Sequence, residues 1–323
     1  IETDFMVGAQ LEGFDCMVQL TSTAKYAVIE GDEYLSSPTD LRPKFHLYNP
    51  HIALLTGIAW DHINVFPTFD NYVEQFRIFA GLIEKNGSLI YCELDEEVKK
   101  VAETARTDIK KFPYRIPANN VENGVTRLLT PNKEIALKIF GDHNLMNVNA
   151  ARLACNQVGI TDTQFYEAIQ SFSGAAKRLE LVSKNDVTAV YKDFAHSPSK
   201  LKATIQAVKK QFPDRQLIAC IELHTFSSLN QEFLDQYKGS MELADEAIVY
   251  FNPHTIEHKK LKPITREQVQ QAFDRKNIEV VTDSREVINT ILKIDFKHKN
   301  LLLMSSGNFD GMDFKELSSK IIK

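Results

Sequence analysis

Short apolar runs alternate with amphipathic stretches along this whole chain, and no other feature constrains its fold as strongly. In the first half, runs at 26–29, 52–56 and 88–92 read as strands. Between the last two, residues 69–84 place Tyr72, Phe76, Phe79, Ala80 and Ile83 at helical spacing. Runs at 125–129 and 135–139 flank Thr130-Pro-Asn-Lys-Glu134, a composition that predicts a hairpin turn. Helices follow over 144–158 and 161–172, the second capped by Thr161 or Asp162. The second half restarts the pattern, with strands at 187–191, 217–221, 247–251, 278–281 and 301–304. Helices are expected there over 199–211, 266–273, 284–292 and 313–322. Such alternation gives helices packed on a mainly parallel sheet, an α/β fold. A chain of 323 residues is long enough for two cores, and the small-residue stretch Ser171-Phe-Ser-Gly-Ala-Ala176 divides it into domains 1–173 and 174–323.

Charge narrows the partners. A net charge of −5 with scattered basic residues gives no reason to expect nucleic acid or an anionic membrane. No apolar run reaches the length that crosses a bilayer. The 4 cysteines (Cys16, Cys92, Cys155 and Cys220) form no C-x-x-C pair, which fits a reducing cytoplasm and argues against a zinc ribbon. The first residues, Ile1-Glu-Thr-Asp-Phe-Met6, have neither the basic region nor the apolar core of a signal peptide, and the absence of an initiator methionine is what a piece of a longer chain would show.

Polar residues gather where the strands end, the side on which open α/β sheets bind ligands. Glu30 ends the strand in Tyr26-Ala-Val-Ile-Glu-Gly-Asp-Glu-Tyr34, and His62 follows Leu54-Leu-Thr-Gly-Ile-Ala-Trp-Asp. Both suit a divalent cation, although a single strand-end Glu or His is more often structural. In Gly141-Asp-His-Asn144-Leu-Met-Asn147, a glycine turn leads into a helix whose first turn holds Asn144, with Asn147 one turn on. Such a terminus offers donors to an anion and amides to a purine edge, or is simply an N-cap. Arg178 in Lys177-Arg-Leu-Glu180 suits phosphate, and an ion pair across a linker explains it equally well. Tyr191-Lys-Asp193-Phe-Ala-His196-Ser-Pro198 breaks from strand to helix, with Asp193 and His196 at the edge. Two more strand ends carry His224 (Ile221-Glu-Leu-His224-Thr-Phe-Ser227) and Asn308 (Met304-Ser-Ser-Gly-Asn308-Phe-Asp-Gly311).

In order and spacing these motifs resemble the Mur ligase family, the ATP-dependent amide-forming enzymes of peptidoglycan synthesis. The sequence E-x-D-E, then D-H, G-x-H-N-x-x-N, R-x-E and D-F-A-H-x-P carries the resemblance from about Phe5 to the C-terminus. Asp40-Leu-Arg42-Pro-Lys44-Phe45 and Asn308-Phe-Asp-Gly311 are most similar to the branch that joins UDP-N-acetylmuramate to the recycled tripeptide L-alanyl-γ-D-glutamyl-meso-diaminopimelate. His224-Thr-Phe-Ser227 looks more like the branch that adds L-alanine. Folylpolyglutamate synthase and cyanophycin synthetase share the two-domain arrangement and generally lack the E-x-D-E-Y and D-L-R-P-K-F contexts.

The resemblance implies a P-loop-type central domain followed by a Rossmann-like C-terminal domain, with ATP and Mg²⁺ as cofactors. It matches Glu30 to the carboxylate ligand of one magnesium ion and His62 to a ligand of a second, with Glu33 only a neighbour in support. Asn144 and Asn147 match adenine contacts, Arg178 a phosphate contact, and Asp193 a group near the ribose and phosphates. His196 matches the residue beside the acyl phosphate and incoming amine, and His224 and Asn308 would line the peptide pocket. Two departures stand out. Many relatives carry a carbamylated lysine about 15 residues past D-H, where this chain has Arg77, so no carbamylation is expected. The phosphate loop G-x-x-x-x-G-K-[ST] does not occur in these residues, so the 323 residues alone are expected to be catalytically silent and the first sheet incomplete.

Overall fold

Where strand and helix signals alternate, the chain folds accordingly. A computed structural model describes residues 1–8, 14–60, 65–122 and 124–322, and within it the chain divides into two compact units, Ile1–Ala176 and Lys177–Lys323.

The first unit begins with β1 (Thr3–Met6), β2 (Val18–Gln19) and β3 (Tyr26–Ile29), in which β1 pairs parallel with β3 and antiparallel with β2. β4 (Ile52–Leu55), α1 (Phe69–Gly81), β5 (Ser88–Cys92), α2 (Glu96–Thr104) and β6 (Lys110–Tyr114) follow, giving a parallel sheet in the order β4-β5-β6. α1 starts where the Thr68 hydroxyl accepts from Asn71 N at 3.2 Å, and it buries Tyr72, Phe76, Phe79 and Ala80 of the predicted stripe together with Val73, while Ile83, the stripe's last member, is buried just past the helix end. Asp95 caps α2 through Glu97 N and Val98 N and also accepts from Ile58 N at 3.0 Å, tying the loop after β4 to that helix. Ile83, Leu89, Ile90 and Val98 are fully buried in this core, a contribution of roughly 1.5–3 kcal/mol for each large side chain.

β7 (Asn119–Glu122), β8 (Val125–Leu129) and β9 (Glu134–Ala136) form an antiparallel sheet, so the predicted hairpin is present with an added strand. α3 (Asp142–Gln157) and α4 (Asp162–Ile169) close the unit, and Leu145, Val148 and Phe165 pack with Leu128 and Ile135 of the hairpin. Thr161 is the cap of α4, in a reciprocal box with Gln164.

The second unit has one six-stranded sheet, built from β10 (Glu180–Lys184), β11 (Ala189–Asp193), α5 (Pro198–Gln211), β12 (Gln216–Leu223) and α6 (Gln231–Leu234). It continues with β13 (Glu246–Phe251), α7 (Pro253–His258), α8 (Arg266–Phe273), β14 (Ile278–Val281), α9 (Ser284–Leu292), β15 (Lys299–Met304) and α10 (Phe314–Ile321). The strand order is β10-β11-β15-β12-β13-β14, with β10 antiparallel and the rest parallel. Strands β12, β13 and β14 step outward, and the chain then returns to insert β15 between β11 and β12. The order therefore reverses at β11, β15 and β12, and their C-terminal ends lie side by side. Such a reversal opens a crevice in a parallel sheet.

Candidate active site

Asp193, the last residue of β11, is buried at 7% exposure and serves as a clamp on backbone donors. Its Oδ2 accepts from Leu179 N at 2.6 Å and its Oδ1 from Ala195 N at 2.6 Å, with Thr204 Oγ1 at 3.5 Å. The segment it holds is strained, since Lys177 and Leu179 adopt φ of 60° and 43°. Bonds to a carboxylate are strong enough to maintain such a turn. Burial pushes the Asp193 carboxyl above its ordinary value, although the two backbone N–H groups and Arg178 pull it back. Arg178 itself is exposed, with its guanidinium 5.3 Å from the Phe194 ring centroid. Beside it, Glu180 accepts from Lys177 N at 3.0 Å and pairs with Lys192 at 2.9 Å.

His196 lies three residues past Asp193 and is also buried. Its Nδ1 is 2.8 Å from Phe194 O, and because a carbonyl only accepts, that nitrogen carries the hydrogen. The Phe194 ring meets it edge-on, and the Tyr237 hydroxyl donates to its backbone carbonyl, so the ring's position is fixed from several sides.

The loops after β12 and β15 share one carboxylate, Glu222, which is 2% exposed. Its Oε2 accepts from the Ser305 hydroxyl and from Phe309 N at 2.8 Å, while its Oε1 lies 3.5 Å from His224 Nδ1. Gly307 sits against both partners: a Cβ there would be 2.9 Å from the Glu222 carboxylate and 2.9 Å from the His224 ring. Ser305 N donates to Asp193 O at 3.0 Å, which joins this loop to the end of β11. The neighbouring Ser306 hydroxyl is buried with no hydrogen-bond partner among the described residues, a polar atom suited to a ligand or water.

Asn308 is exposed, its Oδ1 accepting from Gly311 N of the same loop at 3.1 Å. Phe309 and Asp310 are held at φ of 51° and 54°. Phe309 is buried and stacks on Tyr250, and Asp310 Oδ2 accepts from the Tyr250 hydroxyl and from Asn252 Nδ2 at 2.7 Å. Asp193, His196, His224 and Asn308 thus come to one sheet edge in the second unit. Sequence reasoning missed Glu222 and Tyr250; a lone glutamate in the apolar run Gln216-Leu-Ile-Ala-Cys-Ile-Glu-Leu223 was the available signal.

In the first unit, Glu30 follows β3 and is exposed, its Oε2 accepting from Gly8 N at 2.5 Å. Asp32 pairs with Lys44 at 2.7 Å and Asp40 with Arg42 at 2.7 Å, the latter drawing the Asp40 carboxyl down to about 2. His62 lies outside the described residues. Asn144 and Asn147 stand in the first turns of α3 behind Gly141, whose φ of 94° favours glycine. The Asn144 amide donates to Phe140 O at 2.8 Å, and Asn147 is exposed. Among the described residues no group of three or more His, Cys, Asp and Glu gathers to hold a metal, and no helix is long and apolar enough to cross a membrane.

Two sequence models match the chain, the Mur ligase middle domain over residues 11–155 and the Mur ligase glutamate ligase domain over residues 177–307. The chain belongs to the Mur ligase family. Among curated relatives it is 32% identical over 259 residues to the UDP-N-acetylmuramate–L-alanine ligase of Caldicellulosiruptor saccharolyticus, covering 76% of this chain and 54% of that one. The chain spans about half the length of the curated relatives it matches. In fold it is similar to a murein peptide ligase from Psychrobacter arcticus (TM-score 0.63, 20% identity, 99% of this chain and 71% of that one). It is likewise similar to the UDP-N-acetylmuramate–alanine ligase of Thermotoga maritima (TM-score 0.67, 15% identity, 99% and 68%). Members of this family are ATP-dependent ligases of peptidoglycan synthesis.

Proposed function

We propose that this chain serves the ATP-dependent joining of UDP-N-acetylmuramate to a recycled murein tripeptide in the cytoplasm. Residues 1–173 take the adenine end of the nucleotide, and 174–323 take the incoming amine and contribute Arg178 to a phosphate. The observation that carries the reading is the convergence of His196, His224 and the Ser305–Asn308 loop where the strand order reverses. The D-L-R-P-K-F context and Asn308-Phe-Asp-Gly311 favour the tripeptide over a single amino acid.

In the reaction so inferred, the lactoyl carboxylate takes the γ-phosphoryl group and becomes an acyl phosphate. Attack by the amine then forms the amide, releasing inorganic phosphate and a proton. Such chemistry depends on positioning and charge compensation more than on covalent help. His196 is held rigid enough to orient the acyl phosphate. His224 and Asn308 are assigned to the peptide, Asn144 and Asn147 to the adenine, and Arg178 to a phosphate. Asp193 acts through the backbone it clamps, since its oxygens already accept from Leu179 N and Ala195 N. Mg²⁺ supplies positive charge to phosphates and commonly takes one or two carboxylates besides them. The exposed Glu30 carboxylate fits that need, and His62 is assigned to a second ion.

A second reading, addition of L-alanine, is favoured by His224-Thr-Phe-Ser227 and by the names of the curated relatives. Against it, Thr225 and Ser228 occupy a loop in which no arginine stands to grip the amino-acid carboxylate. The test is phosphate release from ATP by the full-length gene product, with UDP-N-acetylmuramate and either L-alanyl-γ-D-glutamyl-meso-diaminopimelate or L-alanine. Release only with the tripeptide supports the first reading, and release with L-alanine the second. No release with either refutes both. The 323 residues alone are expected to release none, because the phosphate-loop motif does not occur in them.

A further inference from the structure

Burying a carboxylate is costly unless each of its partners needs it. Glu222 is 2% exposed in a strand of apolar neighbours. Two of its partners, the Ser305 hydroxyl and Phe309 N, both donate to Oε2, and a glutamine carbonyl would receive them equally well without a charge. The charge is therefore not explained by the loop it supports. What separates glutamate from glutamine here is the second oxygen, Oε1, which lies 3.5 Å from His224 Nδ1. At that position a glutamine would present an N–H₂ donor instead.

We propose that Glu222 is a positioning residue for His224. It holds the imidazole in the tautomer that carries hydrogen on Nδ1, so that Nε2 is left to accept a hydrogen bond from the incoming amine. A carboxylate has no hydrogen to give, so the ring nitrogen facing it is the one protonated. Gly307 is what lets the two come together, because a Cβ there would stand 2.9 Å from Glu222 Oε2 and 2.9 Å from His224 Nδ1. The imidazole is the accessible member of the pair, its side chain 38% exposed against 2% for Glu222. The inference deepens the proposed function and rests on it for the identity of the acceptor's partner. Its geometry stands apart from that reading.

The test combines a spectroscopic and a kinetic readout. Two-bond ¹H–¹⁵N correlation of histidine-labelled protein, at a pH where the ring is neutral, reports which nitrogen of His224 carries the hydrogen. Wild type is expected to carry it on Nδ1, and Glu222→Gln on Nε2. Glu222→Gln keeps the volume and both Oε2 bonds, so it is expected to fold. Gly307→Ala gives a second probe, keeping the carboxylate but parting it from the ring, and is expected to lose the Nδ1 preference. In the full-length gene product, Glu222→Gln is expected to lower kcat/KM for the amine substrate by roughly 10-fold or more, the scale seen when the partner orienting a functional histidine is lost. KM for ATP should not change. Hydrogen on Nε2 in wild type, the same tautomer in wild type and Glu222→Gln, or an unchanged kcat/KM would each overturn the proposal. A wild-type protein with no amine-dependent phosphate release would instead refute the functional reading, and the tautomer comparison would still decide the positioning.

Discussion

Asp193 shows how one side chain couples sequence to site. Its two oxygens fix the turn that enters the second unit and the turn that carries His196. Asp193→Asn retains one acceptor oxygen and places an N–H₂ against a backbone donor, leaving a buried N–H unpaired. That change is expected to destabilise the second unit by about 1–3 kcal/mol in urea unfolding. The pH dependence follows from the direction of the Asp193 shift. With its carboxyl raised by burial, the native state keeps this proton longer than the unfolded chain does. This group's contribution to stability therefore falls as pH rises from the ordinary 3.8 through the raised native value. Asp193→Asn should abolish that part of the slope, read as the urea midpoint against pH. The D-F-A-H-x-P motif located Asp193 and His196 but did not disclose that Asp193 bridges two turns, because one of its backbone partners, Leu179 N, lies outside the motif and leaves no local signature. Glu222 escaped for the opposite reason: it sits inside an apolar run, where the pattern reads as strand and its one charged residue passes as noise.

At the scale of elements, period and turn chemistry were legible in most of the strongly buried elements. β14, α8 and α9 begin and end at the residues their periodicity predicts, because each puts apolar residues on a buried face. Some of the elements not foreseen have weak patterns, whereas α2 was not foreseen although it buries Val98, Val101 and Ala102 at helical spacing. β6 contains Pro113, which an edge strand tolerates, and β7 reads Asn-Asn-Val-Glu with little apolar content. Two glycines test the packing of these elements. A Cβ on Gly87, just before β5, would stand 2.6 Å from His51 O and 2.7 Å from Glu84 O, both backbone atoms that cannot swing aside. Gly87→Ala is expected to destabilise the first unit by at least about 2 kcal/mol. Gly81, the last residue of α1, has no atom within 4 Å of a Cβ, so Gly81→Ala should stabilise by up to about 1 kcal/mol through helix propensity alone. Urea denaturation of both variants checks the contrast in sign.

For the whole molecule, two compact units with separate hydrophobic clusters raise the question of whether they unfold together. The chain supplies its own reporter, because its 1 tryptophan, Trp60, lies in the first unit and packs at that unit's core with its Nε1 donating to Phe66 O at 3.1 Å. Fluorescence therefore follows the first unit, whereas far-ultraviolet circular dichroism follows helices and strands of both. If each core is its own cooperative unit, Gly87→Ala lowers the fluorescence midpoint. Asp193→Asn then lowers the dichroism midpoint while leaving fluorescence in place. Should Asp193→Asn move the fluorescence midpoint by as much as the dichroism midpoint, the two cores form one cooperative block, and a change at the sheet edge of the second unit is felt by the first. The distinction bears on mechanism, because the residues assigned to the nucleotide fall in both units (Asn144 and Asn147 in the first, Arg178 in the second), whereas those assigned to the amine fall in the second. Independent units would let substrates order one domain without the other, whereas a single block would make any ligand on one unit stabilise both.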